Sequence, residues 1–284
     1  MISGMADRVA ALTGAAVAAS TSLTGGDIGL VTRVELADGR IVVAKTARSG
    51  GRDTAEAEAA MLVHMHDCGV RVPAVLAAEP GLLIMEAVPD RGSVRRAEDD
   101  LARVVAQMHG VRRGAYGFDH DTVFAGDHQD NRAAGDWPSF FADRRLKPMA
   151  RLAHGAGRLD RALVERVDRL ADGLGALLPA DPPAALLHGD LWQGNILCDG
   201  DRISALIDPA LYYGHAEVDL AMLTLFGGVG ARFFAAYGDQ APFDATGFAE
   251  RRDLYNLYPL LFHVKAFGGA YLGQVEDILR RFGC

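Results

Sequence analysis

The sequence predicts an α+β fold with two lobes: a small lobe built on an antiparallel sheet with one main helix, and a larger, mostly helical lobe. Two observations predict it. Strand-like runs separated by turn residues fill most of the first 86 positions and surround one helical segment. Helical periodicity then dominates, apart from a short hairpin near residues 196–207. We therefore expect two domains, residues 1–86 and residues 87–284.

Composition excludes several classes of protein. The chain has 284 residues, of which 50% are hydrophobic, and a net charge of -8, which argues against a nucleic-acid partner because phosphate contacts require a basic surface. Cys68, Cys198 and Cys284 are widely scattered, which is typical of a reducing compartment. No apolar run of about 18 residues and no signal peptide is visible. We expect a cytoplasmic protein with no membrane partner, and a monomer as the default oligomeric state.

Strand and turn signals alternate through the small lobe. An amphipathic helix over 1–14 ends at Gly14, and Asp38-Gly39 predicts a tight turn between two strands. A further helix is predicted over 52–67, with Gly69 as its stop. The predicted strands are 16–23, 28–37, 40–46, 72–77 and 82–85.

A glycine-containing loop, Thr24-Gly25-Gly26-Asp27, joins the first two strands. Because glycine lets the backbone approach a ligand closely, we expect Gly25, Gly26 and Asp27 to lay backbone N–H groups over the phosphates of a nucleotide. A Gly-Gly hairpin by itself is usually only a turn, so this prediction depends on the lysine that follows.

Lys45 lies late in the third strand between apolar neighbours, where it can pair with those phosphates. Glu56 and Glu58 both lie on the next helix, and either could hold the lysine ammonium, although most glutamates on helices are solvated. The segment Glu86-Ala87-Val88 after the fifth strand is predicted to be an extended crossover whose backbone could hydrogen-bond an adenine edge.

Helical periodicity dominates after this crossover. The polar, glycine-rich segment 111–136 interrupts it, and we interpret this segment as an ordered surface loop that could cover a substrate. The predicted helices are 94–109, 137–154, 158–178, 216–237 and 247–281.

The most informative stretch follows the apolar run 184–187. It contains His188, Asp190 and Asn195, and a hairpin through Asp199-Gly200 then brings the chain back to Asp208. Two carboxylates and one amide oxygen are expected to face a common space. Phosphoryl transfer from a nucleotide needs this set, because one carboxylate orients the attacking hydroxyl while the amide and the second carboxylate hold Mg²⁺. The spacing matches the catalytic loop of kinases, so we expect a phosphotransferase that uses ATP and Mg²⁺.

These motifs resemble the fructosamine kinase (ketosamine-3-kinase) family, which is similar to aminoglycoside phosphotransferases within the protein-kinase-like fold. The resemblance runs nearly end to end. Its most specific parts are the stretch from His188 to Asn195 and the stretch from Ile207 to Met222. Further matches are Thr24-Gly25-Gly26-Asp27-Ile28, Ala57-Glu58-Ala59, Tyr116-Gly117-Phe118, Asp136-Trp137-Pro138-Ser139-Phe140-Phe141 and Arg145-Leu146.

Position by position, the resemblance implies Asp190 as the catalytic base and Asn195 with Asp208 as ligands of Mg²⁺. It also implies Lys45 as the phosphate-contacting lysine, with Glu58 as its ion-pair partner. The implied reaction transfers the γ-phosphoryl group of ATP to the 3-hydroxyl of a ketosamine, the Amadori sugar on a lysine or a small amine. In this family the reaction destabilises the adduct and leads to deglycation.

Side chains around this set are candidates for binding the sugar. Trp192 is predicted to offer an apolar face and an N–H donor to the sugar, rather than to fill the core. His188 is expected to orient the loop, and Asp219 is expected to anchor the loop backbone from the next helix. Four further residues are candidate sugar-pocket residues that could equally pack the large lobe: Tyr212, Tyr213, His215 and Glu217.

Two other functions are compatible with the same residues. Another small-molecule kinase, acting on an aminoglycoside, choline or a free sugar, would share the phosphoryl-transfer residues and differ in the pocket. A nucleotide-binding scaffold without catalysis is the second alternative. The intact set of Lys45, Asp190, Asn195 and Asp208 argues against it.

Overall fold

The computed structural model describes residues 2–23, 29–47 and 52–284. Within this part of the chain the predicted α+β class is confirmed, because a five-stranded antiparallel sheet precedes a mostly helical region. The predicted glycine loop with Gly25, Gly26 and Asp27 lies outside the described residues.

The small lobe is an antiparallel sheet with one helix on each face. Its strands pair in the order β1-β2-β3-β5-β4. A tight turn at Asp38-Gly39 joins β2 to β3, as predicted, and Gly39 has a φ of 87°. The elements are α1 (Ile2–Thr13), β1 (Val17–Leu23), β2 (Gly29–Leu36), β3 (Ile41–Ala47), α2 (Ala55–Asp67), β4 (Val75–Glu79) and β5 (Leu82–Glu86).

Alternation along β3 decides which side chains face which helix. Val42 and Ala44 belong to a small core that also contains Val9 of α1. Because successive side chains of a strand point to opposite faces, Val43 and Lys45 point toward α2. Val43 indeed packs against the larger core that includes α2. The strand register therefore directs the lysine into the space between the sheet and α2.

The large lobe is mostly helical, and its short strands frame the loops described below. We propose that the lobe boundary falls at Glu86, where β5 ends. No helix in the described part of the chain is both long enough and apolar enough to cross a membrane. The elements are α3 (Glu98–Gly110), β6 (Arg112–Arg113), β7 (Thr122–Phe124), β8 (Asp127–Gln129), α4 (Trp137–Phe141), a π-helical turn (Ala142–Leu146), α5 (Lys147–Gly155), α6 (Arg161–Asp172), β9 (Ala184–Leu187), β10 (Ile196–Asp199), β11 (Arg202–Leu206), β12 (Tyr212–Gly214), α7 (Glu217–Leu225), α8 (Ala231–Gly238), α9 (Ala245–Phe267) and α10 (Leu272–Arg281).

Several predicted helices differ from the observed ones. The segment 216–237 forms two helices, α7 and α8, separated by a short segment that contains three glycines, Gly227, Gly228 and Gly230. The segment 247–281 is divided at Gly268, whose φ of 82° is incompatible with a continuing helix. The predicted helix 94–109 begins at Glu98. Helix 158–178 is observed over Arg161–Asp172.

The segment 111–136 is ordered, as predicted, but it has more regular structure than a surface loop. It contains β6 and the β7–β8 hairpin, and it carries buried polar side chains rather than forming a simple surface loop. Gln129 donates to the Thr122 hydroxyl at 2.9 Å and to the Ala210 carbonyl at 3.0 Å. The first bond lies within the hairpin, and the second fixes the hairpin against the segment after β11.

Candidate active site

The loop after β9 is anchored by a buried carboxylate. The backbone N–H groups of His188 and Gly189 donate to the two oxygens of Asp219 at 2.8 and 2.9 Å. Asp219 lies in the first turn of α7, is fully buried, and also contacts His109 Nε2 at 3.2 Å. The predicted anchoring role of Asp219 is therefore confirmed.

His188 links the two segments that carry the candidate catalytic groups. The backbone N–H of Asp190 donates to His188 Nδ1 at 3.3 Å, and His188 Nε2 lies 3.0 Å from the carbonyl oxygen of Ile207. Because an N–H can only donate and a carbonyl can only accept, the ring carries its proton on Nε2 and is neutral. Burial lowers the pKa of His188, which agrees with a neutral ring. Its predicted role in orienting the loop is confirmed.

A glycine allows these two segments to approach each other. Gly189 has a φ of 80°, and a Cβ at this position would lie 2.1 Å from the carbonyl oxygen of Ala210. The backbone N–H of Ala210 in turn donates to the His188 carbonyl at 2.8 Å. A side chain at position 189 would force the segments apart, so glycine is required here.

Asp190 and Asn195 are held together. Asn195 Nδ2 donates to the Asp190 backbone carbonyl at 2.9 Å and to Asp190 Oδ2 at 3.0 Å. Since the amide nitrogen makes both bonds, the amide oxygen of Asn195 is the atom available to a cation. Burial raises the pKa of Asp190 to about 7, while the bond from Asn195 acts in the opposite direction.

Asp208 has an unusual backbone conformation. Its φ of 55° lies in the left-handed region, which few side chains other than Asn and Asp tolerate. The side chain is one-third exposed, and Oδ1 lies 2.7 Å from Lys45 Nζ. A strained residue of this kind is common where side-chain direction matters for function.

Lys45 is paired with two carboxylates. Its Nζ lies 2.8 Å from Glu58 as well as 2.7 Å from Asp208. Glu58 is buried on the face of α2 toward the sheet, whereas Glu56 is exposed. Burial by itself would lower the pKa of Lys45, but the two carboxylates outweigh it and raise the pKa to about 12. The lysine therefore carries its charge at any physiological pH.

The proposed phosphoryl-transfer residues share one cavity of about 670 Å³. Its walls include Lys45, Glu58, Asp190, Asn195 and Asp208. In the described ranges no three His, Cys, Asp or Glu side chains cluster as a metal-binding group. An amide oxygen and one carboxylate suit Mg²⁺, which usually keeps several waters and takes substrate phosphates as ligands. The residues present are thus compatible with Mg²⁺ bound together with a nucleotide.

Trp192 lies in the wall of the same cavity. Its indole covers Gly194, where a Cβ would lie 2.3 Å from the ring, and it meets the edge of Phe226 with ring centroids 5.9 Å apart. The ring is half-buried, so one part of it remains accessible from the cavity. This position is compatible with the predicted sugar contact.

The four other predicted sugar-pocket residues lie in the large lobe, where three of them are buried and His215 is half-buried. Tyr212 is fully buried beneath the Arg145 guanidinium, 3.9 Å from its ring, and Tyr213 is 3% exposed. His215 Nδ1 lies 2.7 Å from the Tyr255 hydroxyl. Described residues of the cavity wall include none of the four. The structure therefore favours the packing alternative for these four residues: Tyr212, Tyr213, His215 and Glu217, the last of which accepts two hydrogen bonds from Arg251 at 2.6 and 2.8 Å.

Two further elements contribute to the cavity wall, and sequence reasoning connected only the first, within the segment 111–136, with a substrate. One part is the turn of the β7–β8 hairpin, and the other is the last two turns of α9. Helical periodicity predicted that α9 exists, but it carries no signal for which face meets a cavity. The missed lining residues are Val123, Ala125, Gly126, Phe262, His263, Lys265, Ala266 and Phe267.

The predicted adenine-binding crossover lies at the lobe boundary. The backbone N–H of Glu86 donates to the Ala74 carbonyl at 2.9 Å and is used within the small lobe. Ala87 and Val88 follow β5 and are half-buried. Contact between this segment and a nucleotide stays a prediction.

Comparison with known proteins supports the resemblance to fructosamine kinases that the sequence motifs indicated. The sequence model of the fructosamine kinase family matches residues 1–282. A chloroplastic protein-ribulosamine 3-kinase of Arabidopsis thaliana is 34% identical over 91% of this chain and 82% of its own length. The probable ketoamine kinase of Thermus thermophilus is 37% identical over 89% of this chain and 90% of its own.

Solved structures agree with these relatives. A crystal structure from Thermobifida fusca, provisionally assigned as a fructosamine-3-kinase, superposes with a TM-score of 0.85 at 35% identity, covering 97% of this chain and 96% of that one. A macrolide 2′-phosphotransferase from Brachybacterium faecium gives a TM-score of 0.62 at 18% identity, covering 99% and 97% of the two chains. The second likeness concerns the fold alone, and it confirms the expected kinase-like architecture.

Proposed function

The chain belongs to the fructosamine kinase family, and on this premise we propose that it transfers the γ-phosphoryl group of ATP to the 3-hydroxyl of a ketosamine carried on a lysine or a small amine. The observation that carries this proposal is the shared cavity of Lys45, Asp190, Asn195 and Asp208. Phosphorylation of the adduct implies a role in deglycation.

Each residue of the cavity has a separate proposed task. Asp190 orients the acceptor hydroxyl and takes its proton, because it is held at the end of a loop anchored by Asp219. Lys45, charged and fixed by Glu58, binds the phosphates. Asn195 and Asp208 would hold Mg²⁺, which supplies positive charge to the oxygens of the transferred group. Positioning and charge neutralisation are the two effects that such a reaction needs.

The acceptor is proposed to lie against the wall opposite Lys45. Trp192 and the aromatic residues at the end of α9, Phe262 and Phe267, offer apolar faces suited to the C–H groups of a sugar. The cytoplasm is the compartment we propose, because none of the three cysteines, Cys68, Cys198 and Cys284, forms a disulfide bond.

A panel of acceptors tests the proposal. The purified protein is incubated with Mg-ATP and fructosamine- or ribulosamine-modified lysine, and phosphorus NMR identifies the phosphorylated position. Matched controls are the unmodified lysine and a 3-deoxy ketosamine, which lacks the proposed acceptor hydroxyl. We expect turnover of the ketosamines and none of the controls.

Other acceptors in the same panel distinguish the alternatives. Turnover of an aminoglycoside, choline or a free sugar, with none of any ketosamine, would show a different small-molecule kinase. Nucleotide binding without transfer to any acceptor would indicate a scaffold and contradict the proposal.

A further inference from the structure

Helix α2 carries two functional contacts at separate points. Glu58, near its first turn, holds Lys45 at 2.8 Å. His64 lies six residues later, about 9 Å along the helix axis, and its Nε2 is 3.1 Å from the hydroxyl of Tyr213 in the large lobe. The Phe118 ring meets the edge of the His64 ring with centroids 4.8 Å apart. The helix that fixes the lysine is thus attached to the opposite lobe by a side-chain contact.

Tyr213 is held firmly on its side of the contact. It lies on β12, where it pairs with Leu186 of β9, the strand that leads into the Asp190 loop. Its backbone exchanges two hydrogen bonds of 2.8 Å with Gly117, and the Arg113 guanidinium lies 5.0 Å from its ring centre. The hydroxyl of Tyr213 therefore has a fixed position relative to the catalytic loop.

Helix α2 packs against the large lobe as well as against the sheet. Its buried residues Met61, Leu62 and Met65 belong to the core that continues through the large lobe, whereas the sheet face toward α1 has a separate small core. Past the end of α2, Arg71 pairs with Asp100 of α3 at 2.7 Å. The orientation of α2 is therefore set by large-lobe contacts as well as by the sheet.

We propose that His64 and Tyr213 form an inter-lobe latch that positions Glu58, and through it Lys45, relative to the Asp190 loop. The inference rests on the proposed phosphotransfer function. Both members of the latch are positioning residues, because neither lines the cavity formed by the described residues. Tyr213 thus acts in the reaction through α2 and makes no contact with the sugar.

The charge states of the latch agree with a hydrogen bond between neutral groups. Burial, together with the nearby Arg113 guanidinium, lowers the pKa of His64. Burial raises the pKa of Tyr213 to about 12. Loss of a hydrogen bond between neutral groups changes an equilibrium constant by roughly 3- to 10-fold. We expect a change of the same size in kcat/KM for ATP when the latch is removed.

The test removes the hydroxyl and measures which kinetic constant changes. Tyr213→Phe keeps the ring and loses the bond, and we expect kcat/KM for ATP to fall roughly 3- to 10-fold while KM for the ketosamine stays unchanged. His64→Leu should reproduce this result, and the double variant should be no worse than either single variant. Tyr116→Phe is the matched control, because its hydroxyl bonds Asp181 and Pro182 within the large lobe and has no link to α2.

Epistasis with Glu58 separates positioning from general stability. In a Glu58→Gln background the latch has nothing left to position, so Tyr213→Phe should cause no further loss of kcat/KM for ATP. If Tyr213 had only a structural role, Tyr213→Phe would reduce thermal stability equally in both backgrounds and would not change kcat/KM for ATP.

Three outcomes would overturn the latch. The first is an unchanged kcat/KM for ATP in both Tyr213→Phe and His64→Leu. The second is that Tyr213→Phe lowers kcat/KM for ATP in the Glu58→Gln background as much as it does in the wild type. The third is a rise in KM for the ketosamine alone, which would indicate that Tyr213 contacts the sugar. If Tyr213→Phe fails to fold, His64→Leu decides by the same criteria. Absence of ketosamine turnover in the wild-type protein would instead refute the proposed function itself.

Discussion

Lys45 Nζ lies 2.7 Å from Asp208 Oδ1, so an ion pair joins a strand of the small lobe to the segment that follows β11 in the large lobe. The same lysine is bonded to Glu58 at 2.8 Å. One cation therefore connects the sheet, α2 and the proposed metal-binding carboxylate. This arrangement holds the charged groups proposed for phosphate and metal binding in one place.

Replacing Asp208 by Asn tests the metal-binding assignment. Asn tolerates the left-handed backbone at this position, so Asp208→Asn should fold normally while losing the charge. We expect affinity for Mg-ATP to fall roughly 10- to 100-fold, the effect of losing one charged ligand. Calorimetric titration with ATP in the presence and absence of Mg²⁺ measures it. Equal affinity of variant and wild type for Mg-ATP would remove Asp208 from the metal site.

Trp192 is expected to act on the acceptor alone. Trp192→Leu keeps an apolar side chain but removes the aromatic face and the N–H donor. We predict a rise in KM for the ketosamine of roughly 3- to 10-fold, with KM for ATP unchanged. Steady-state kinetics with each substrate varied in turn provides the measurement. A change in KM for ATP alone would place Trp192 at the nucleotide instead.

Gly189 and Gly200 form a matched pair for testing the close approach behind the catalytic loop. Both have positive φ, but only Gly189 would place a Cβ against the Ala210 carbonyl, at 2.1 Å, whereas Gly200 has open space around it. Gly200→Ala should cost about 1–2 kcal/mol from backbone strain. Gly189→Ala should lower the free energy of unfolding by several kcal/mol more than Gly200→Ala does, a difference on the order of 3 kcal/mol or above. Urea denaturation of both variants measures the difference, and equal costs would mean that the approach is not tight.

Burial of His215 predicts a pH-dependent loss of stability. Burial, with the charges of Arg251 and His109 nearby, lowers its pKa to about 3. The unfolded chain, with an ordinary pKa of about 6.5, binds a proton below that pH while the folded protein does not. Stability therefore falls as pH decreases from about 6.5 toward about 3, and His215 accounts for about 2 kcal/mol between pH 8 and pH 5.

His215→Gln removes this titration and retains a hydrogen-bonding side chain toward Tyr255. The free energy of unfolding of the variant should therefore depend less on pH than that of the wild type over this range. Urea titrations at pH 8, 6.5 and 5 give the comparison. Parallel curves for the two proteins would show that the folded protein accepts the proton at His215.

Local sequence determined the parts of the site that lie on one short stretch. His188, Asp190 and Asn195 are close in sequence, and a hairpin with an Asp-Gly turn returns the chain so that Asp208 lies near Asn195. These relationships depend on local geometry, which residue patterns encode well. The partner of Lys45 was not determined in this way, because residue patterns left Glu56 and Glu58 open and only the resemblance to the family implied Glu58.

Relationships between distant segments were not predictable in the same way. Tyr212 packs beneath Arg145, a fully buried arginine that also donates to Asn131 at 2.7 Å. An aromatic residue a few positions after a candidate metal ligand has the same sequence pattern whether it faces a sugar or a buried guanidinium. Phe262 and Phe267 line the cavity because of how α9 crosses the large lobe, and periodicity contains no information on that crossing.

The most direct test of the proposed phosphoryl transfer is the kinetics of Asp190→Asn, because Asp190 is the group proposed to orient and deprotonate the acceptor hydroxyl. We predict that kcat for ketosamine phosphorylation falls by roughly 10²- to 10⁴-fold, while Mg-ATP still binds with near wild-type affinity in calorimetric titration. Near-normal turnover by Asp190→Asn would contradict this proposal.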